Sequence, residues 1–319
     1  MSVADLRLIS GNANRPLAAR IAEELGIPLT RAEVTRFSDG EIRVKIDESV
    51  RGADVFIIQP TCPPVSENLM ELLIMMDALK RASARRIVAV VPYYGYARQE
   101  KKTGGREPIS AKLVADLMTT AGADRLLVMD LHVPSIQGFF NIPVDHLPAA
   151  PIIAKHLLTR GFGGPETVVV SPDVGGVPMA MGLADRLQAG LAIVAKRRPA
   201  PNHVQAIDVI GELEGKQAIF IDDIVDTGRS LATGALAIVE RGAARVWACA
   251  THGVLSAEAP DALQDSVIEQ LVVTDTIPLP PERRRPKIEV LSVAPLLARA
   301  IRRVHDDESV SSLLKEGEV

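Results

Sequence analysis

The chain has 319 residues, a hydrophobic fraction of 47% and a formal net charge of -4, a length and composition suited to about two globular domains. The slight acidity excludes the basic excess of a nucleic-acid backbone binder, and no run approaches the roughly 20 apolar residues of a membrane helix. Only Cys62 and Cys249 are present, too few for a disulfide framework or a cysteine-rich zinc site; with no signal-like amino terminus, the expectation is a cytoplasmic protein with no membrane contact.

Residues 6–10 read as a strand, and the turn Gly11-Asn12-Ala13-Asn14-Arg15-Pro16 leads into a helix over 17–25 that Gly26 closes as a left-handed cap. The polar turn Phe37-Ser38-Asp39-Gly40-Glu41 precedes an alternating, half-buried strand at 42–46. Strand 55–59 breaks at the prolines of 60–64, and a helix over 67–81 buries Leu69, Leu72, Leu73, Met76 and Leu79 on one face. Strand 87–91 ends in Pro92-Tyr93-Tyr94-Gly95-Tyr96-Ala97-Arg98-Gln99-Glu100, which holds all three tyrosines of the chain. A structural cluster and a stacking platform for a planar ligand are equal readings of it. A polar loop at 101–106, a helix at 110–121 and a strand at 126–129 follow, and the strand hands Asp130-Leu131-His132 to its carboxyl end.

The three prolines of 143–151 mark a linker, after which the pattern restarts. A helix at 152–158 and a strand at 167–170 lead to Ser171-Pro172-Asp173-Val174-Gly175-Gly176; a helix at 179–187 and a strand at 191–195 lead to Lys196-Arg197-Arg198-Pro199. The apolar strand Ile219-Phe220-Ile221 ends in Asp222-Asp223, and Asp226-Thr227-Gly228-Arg229-Ser230 opens a helix at 231–241 before a strand at 245–250. The proline-rich stretch 278–287, with Arg283-Arg284-Arg285, reads as a solvated loop, and helical periodicity resumes over 293–304. Repeated strand–helix alternation predicts an α/β chain of two similar doubly wound domains with mainly parallel central sheets, 1–147 and 148–319, the tail of the second packing back on the first.

The chemistry concentrates at 222–230. Thr227, Gly228, Arg229 and Ser230 suit a phosphate, which backbone amides and hydroxyls wrap at the positive end of a helix dipole. Two adjacent acids at a buried strand end are costly without partners. Asp222 and Asp223 are therefore expected to accept hydrogen bonds from sugar hydroxyls or to hold a metal through water.

Asp222 to Gly228 resembles the phosphoribosyl-diphosphate motif of type I phosphoribosyltransferases. The segments 37–41, 92–99, 106–112, Gln137-Gly138-Phe139-Phe140, Ser171-Pro172-Asp173 and 196–199 together resemble the ribose-phosphate pyrophosphokinases, the class I phosphoribosyl-diphosphate synthases, in order along the chain. The resemblance implies a phosphoribosyltransferase-like fold and transfer of the diphosphoryl group of ATP to the C1 hydroxyl of ribose 5-phosphate, with Mg²⁺ as cofactor. It implies Lys196 and Arg198 as the catalytic pair. Phe37, Asp39, Glu41, Arg98, Gln99 and His132 are implied at the ATP site, and Asp222, Asp223, Asp226, Thr227, Gly228, Arg229 and Ser230 around ribose 5-phosphate. His132 and Asp173 are implied near the metal, Asp173 being the better oxygen donor for Mg²⁺. Ser83, Arg106, Gln137, Ser309, Val310 and Ser311 match allosteric segments, which implies phosphate and ADP as effectors, and a homohexamer with active sites shared between subunits is implied as well. The loop departs from the family's usual Asp-Thr-Ala-Gly-Thr, and Asp226-Thr227-Gly228-Arg229-Ser230 is closer to the transferase form. A non-catalytic regulatory subunit is set aside by the presence of Lys196, Arg198, His132, Asp173 and the acid pair, and a transferase proper leaves the first half of the chain without a role.

Overall fold

Runs such as Phe56-Ile57-Ile58, Val88-Ala89-Val90-Val91 and Val168-Val169-Val170 lack the alternation of a one-sided sheet, and each folds as a strand buried on both faces. The structure, a computed structural model, describes residues 5–197 and 206–314. The first half runs β1 (Leu6–Ser10), α1 (Arg15–Leu25), β2 (Ala32–Arg36), β3 (Ile42–Ile46), β4 (Asp54–Ile58), α2 (Val65–Arg81), β5 (Arg86–Val91), α3 (Ser110–Ala121), β6 (Arg125–Met129) and β7 (Val144–Leu147). The second half begins with α4 (Ala150–Thr159), β8 (Thr167–Ser171), α5 (Val177–Leu187), β9 (Gly190–Arg197) and β10 (Ala206–Ile210). It continues with β11 (Gln217–Val225), α6 (Arg229–Glu240), β12 (Arg245–Gly253), α7 (Ala259–Gln264), β13 (Gln270–Thr274), β14 (Ile288–Leu291) and α8 (Ala294–His305).

The chain forms two units: 1–148 with 276–278 and 292–319, and 149–275 with 279–291. In the first, a five-stranded sheet has the order β1-β4-β5-β6-β7, parallel throughout. Leu72, Met76, Val114 and Met118 of α2 and α3 pack on one face with Ile57, Ala89 and Val128. Leu8, Phe56, Val88 and Leu127, on the alternate positions, are equally buried, and α1 packs with α8. The C-terminal helix thus belongs to the N-terminal unit. A polar clasp holds it there. Asp54, fully buried at the start of β4, accepts from Arg85 Nε and Nη2 at 2.9 and 2.8 Å and from Arg86 Nη2 at 2.6 Å, and lies 3.1 Å from His305 Nδ1. Arg86 also donates to the Val304 carbonyl at 2.9 Å and to Asp307 at 2.8 Å.

The second unit holds a seven-stranded sheet of order β10-β9-β8-β11-β12-β13-β14, parallel except for β10 against β9. The chain steps from β8 to β9 on one side, then returns to lay β11 on the other side of β8. Strand order therefore reverses between β8 and β11, which opens a crevice beyond their carboxyl ends, where α/β sheets take ligands.

Several expectations change. Residues 143–151 are not a free linker: β7 and the start of α4 occupy them, although the units do divide at 148 and 149. Strand β11 does not stop at Ile221 but continues through both acids, with Asp222 opposite Ala250 and Ile224 opposite His252 of β12. Helix α6 starts at Arg229, so Arg229 and Ser230 lie in its first turn. Among the described residues no helix is long and apolar enough to cross a membrane.

Candidate functional site

The crevice between β8 and β11 gathers the acids. Ser171 ends β8, and its hydroxyl donates to the Asp173 carbonyl at 2.6 Å; the exposed Asp173 carboxylate accepts from the Gly176 N–H at 2.9 Å, just before α5. On β11, the Asp223 N–H donates to Asp222 Oδ1 at 2.9 Å, with Asp222 half-buried and Asp223 buried. Burial, then the charge of Asp223 and a hydrogen bond with it, then the charge of Asp173, push the Asp222 carboxyl up to about 8. Carboxyls that raise one another in this way suit a cation or hydroxyl donors.

Three residues further on, the chain turns. Gly228 takes φ 71° and a helix opens with no side-chain cap, so the first-turn N–H groups of α6 face outward for an anion. Glycine is required there both by the left-handed backbone and by Leu263 of α7, whose side chain would lie 3.0 Å from an added Cβ. Thr227, Arg229 and Ser230 are exposed around this turn. Lys196 sits on β9 opposite Ile207 of β10, so its backbone position is on the same sheet; Arg198 lies outside the described residues.

The remaining predicted residues belong to the first unit. Phe37, Asp39 and Glu41 form the tip of the β2–β3 hairpin: the Phe37 N–H donates to the Glu41 carbonyl at 2.8 Å, the Glu41 N–H to Asp39 Oδ1 at 3.1 Å, and the Phe37 ring is left 53% exposed. Arg98 and Gln99 follow β5 and are exposed, and Gln99 Oε1 accepts from the Ser110 hydroxyl at the start of α3. His132 is exposed beyond β6, the strand next to β5. The neighbouring Leu131 N–H donates to His146 Nε2 at 3.0 Å, which requires that nitrogen to be unprotonated; burial, opposed by the Asp130 charge, holds the His146 pKa below its ordinary value accordingly. Ser83 precedes β5 and Arg106 lies in the loop between β5 and α3, both exposed with positive φ. Gln137 donates to the Pro134 carbonyl at 3.0 Å, and near the C-terminus the Ser309 and Ser311 hydroxyls pair at 3.0 Å beside buried Val310. The tyrosines resolve toward structure: Tyr93 and Tyr94 are buried, Tyr94 donates to the Ala111 carbonyl at 2.8 Å, and Tyr96 pairs with the Ser66 hydroxyl at 2.9 Å.

Two family models match the chain: the N-terminal domain of ribose phosphate pyrophosphokinase over residues 6–122 and the phosphoribosyl synthetase-associated domain over 196–315. The chain is 56% identical over 308 residues to the ribose-phosphate pyrophosphokinase of Caldanaerobacter subterraneus subsp. tengcongensis, covering 97% of both. The chain belongs to the ribose-phosphate pyrophosphokinase family. It is also 53% identical over 309 residues to the ribose-phosphate pyrophosphokinase of Bacillus subtilis, again covering 97% of both. Among solved structures, it superposes on the phosphoribosylpyrophosphate synthetase of Mycobacterium smegmatis with a TM-score of 0.90 at 45% identity, covering 95% of this chain and 99% of the other. Membership of the ribose-phosphate pyrophosphokinase family makes the chain an enzyme and accords with the expected α/β fold.

The sequence reading missed residues behind the loop. Ser256 donates its hydroxyl to the Asp226 carboxylate, and Arg283 of the supposed solvated cluster donates to the backbone at Leu255 and Ala257. Arg285 is tied to Asp261 at 2.6 Å. No motif flags Ser256, and a Lys/Arg run normally faces water.

Proposed function

We infer that the chain transfers the diphosphoryl group of ATP to the C1 hydroxyl of ribose 5-phosphate, giving 5-phospho-α-D-ribose 1-diphosphate and AMP for nucleotide biosynthesis. The observation that carries this beyond family membership is the N-terminus of α6, which has no side-chain cap and whose cap residue Gly228 follows closely on the acid pair Asp222-Asp223 at the reversal of strand order. On this reading the amides and hydroxyls of Thr227 to Ser230 hold the 5-phosphate, and Asp222 and Asp223 accept from the ribose hydroxyls. ATP is met by Phe37 stacking on adenine, by Asp39 and Glu41 accepting from its amino group, and by Arg98, Gln99 and His132 toward the phosphates. Lys196 and Arg198 stabilise the charge that builds on the transferring phosphoryl oxygens, a role whose loss costs about 10³–10⁵ in rate.

Among the described residues no group of three His, Cys, Asp or Glu side chains forms a ready-made metal cage. Mg²⁺ fits nonetheless, since it binds through one or two carboxylates plus substrate phosphates and water; Asp173, with the raised carboxyl of Asp222 beside it, supplies such donors, and His132 is the nitrogen candidate nearer the nucleotide. Bound there, Mg²⁺ would neutralise charge on the ATP phosphates. We further propose a cytoplasmic homohexamer with shared active sites, in which phosphate and ADP act as effectors through Ser83, Arg106, Gln137 and Ser309 to Ser311.

The test is AMP release from ATP by the purified protein. Release should require both ribose 5-phosphate and Mg²⁺; ATP left intact with both present would refute the assignment.

A further inference from the structure

The proline- and arginine-rich stretch 278–287 has no part in the chemistry above, yet its side chains reach the back of the phosphate loop. Arg283 spreads its guanidinium across two carbonyls, donating from Nη1 to Leu255 and from Nη2 to Ala257 at 2.8 Å. These residues flank Ser256, and their φ angles are 47° and 48°. L-residues enter that region at a cost, so two of them in one short turn need an external hold, which the planar fork of an arginine supplies.

Ser256, held between them, makes two bonds to a single residue of the phosphate loop. Its hydroxyl donates to the Asp226 carboxylate, and its N–H donates to the Asp226 carbonyl at 3.1 Å. The peptide that follows Asp226 is planar and trans, so fixing its C=O aims the Thr227 N–H in the opposite direction. Thr227 begins the set of donors that ends at the α6 N-terminus. Holding the carboxylate in one rotamer also keeps a negative charge from swinging toward a bound phosphate. A second brace runs in parallel: Arg285 binds Asp261 of α7 at 2.6 Å, and Leu263 of the same helix lies over Gly228.

We propose that Ser256 and Arg283 are positioning residues for the phosphate loop, setting affinity for the 5-phosphate of ribose 5-phosphate through Asp226. The inference rests on reading Asp226 to Ser230 as the ribose 5-phosphate loop. Steady-state kinetics on the full-length enzyme test it. Ser256→Ala and Arg283→Ala should raise KM for ribose 5-phosphate about tenfold or more, with KM for ATP near the parent value. Ser256→Thr keeps the hydroxyl and should restore affinity, whereas Arg283→Lys cannot span both carbonyls and should not. Arg284→Ala, at an exposed neighbour, should change neither KM. Equal shifts in both KM values, or no rescue by threonine, would overturn the proposal, and the Ser256 pair decides it even if Arg283→Ala fails to fold. Asp226→Ala separates the two levels. If it raises the ribose 5-phosphate KM while Ser256→Ala does not, positioning is wrong; if it leaves that KM unchanged, the loop assignment itself falls, and the proposal with it.

Discussion

A carboxyl that is mostly neutral at pH 7 sits in the middle of an acid pair on a strand. Burial and Asp223 raise Asp222 to about 8, above the ordinary carboxylate value near about 4 that it has in the unfolded chain. The folded state therefore holds the extra proton, and stability falls as pH rises between those values. Asp222→Asn removes the titrating group. It should stabilise the unliganded protein at alkaline pH by up to about 5 kcal/mol, the difference between those two values expressed as free energy, and almost not at all below about pH 4, as thermal melts across pH would read; a parent that melts higher than the variant at pH 8 would contradict the burial argument. Resemblance in the sequence marked this pair, because adjacent acids after an apolar run are conspicuous. Ser256 was not marked, since its value lies in the left-handed turns on either side, and Leu255 and Ala257 carry no residue-type signal for that conformation.

At the scale of elements, long apolar runs were the legible part: β4, β5, β8 and the start of β11 fold where unbroken hydrophobicity places them. The short strands β2, β7, β10, β13 and β14 were missed. All but β13 are edge strands or a hairpin arm, where one side faces water and polar residues dilute the pattern; β13 lies inside the sheet, but its apolar run Leu271-Val272-Val273 is only three residues long. β11 ran past its apolar portion because ladder bonds to β12 persist beyond the hydrophobic face. The junction from β11 to α6 is the most constrained of these. Gly228→Ala must enter a left-handed conformation at a cost of roughly 1–2 kcal/mol and press Cβ against Leu263. The expected result is a lower melting temperature together with a raised KM for ribose 5-phosphate; a rise in KM for ATP alone would argue against this turn as the sugar-phosphate loop.

Across the whole chain, the link that sequence patterning describes least is the one between the two termini. The periodicity of 293–304 foretells a helix with an apolar face, but not the buried carboxylate of Asp54 that, with Arg85, Arg86 and His305, adds a polar hold to its packing in the N-terminal unit. Burial alone would raise the Asp54 carboxyl, yet hydrogen bonds from both arginines, the Arg86 charge and His305 outweigh it and hold the value below normal. A depressed carboxylate contributes stability that is present above its unfolded value and lost as pH falls through the folded one, so this clasp should weaken only below about pH 4. Asp54→Asn leaves the arginines without their buried anion and should cost about 3 kcal/mol or more at neutral pH, with the gap to the parent narrowing in acid; an equal gap at every pH would assign the loss to packing instead. The same clasp has a consequence for synthesis. Asp54 and His305 stand 251 positions apart, which at ribosomal speed is a wait of roughly 10–50 s. The first strands to leave the ribosome thus belong to the unit that closes last, while residues 149–275, contiguous in the chain, need only the short return at 279–291. Until α8 arrives, α1 lacks the helix it packs with, and the order of emergence is the reverse of the order of completion.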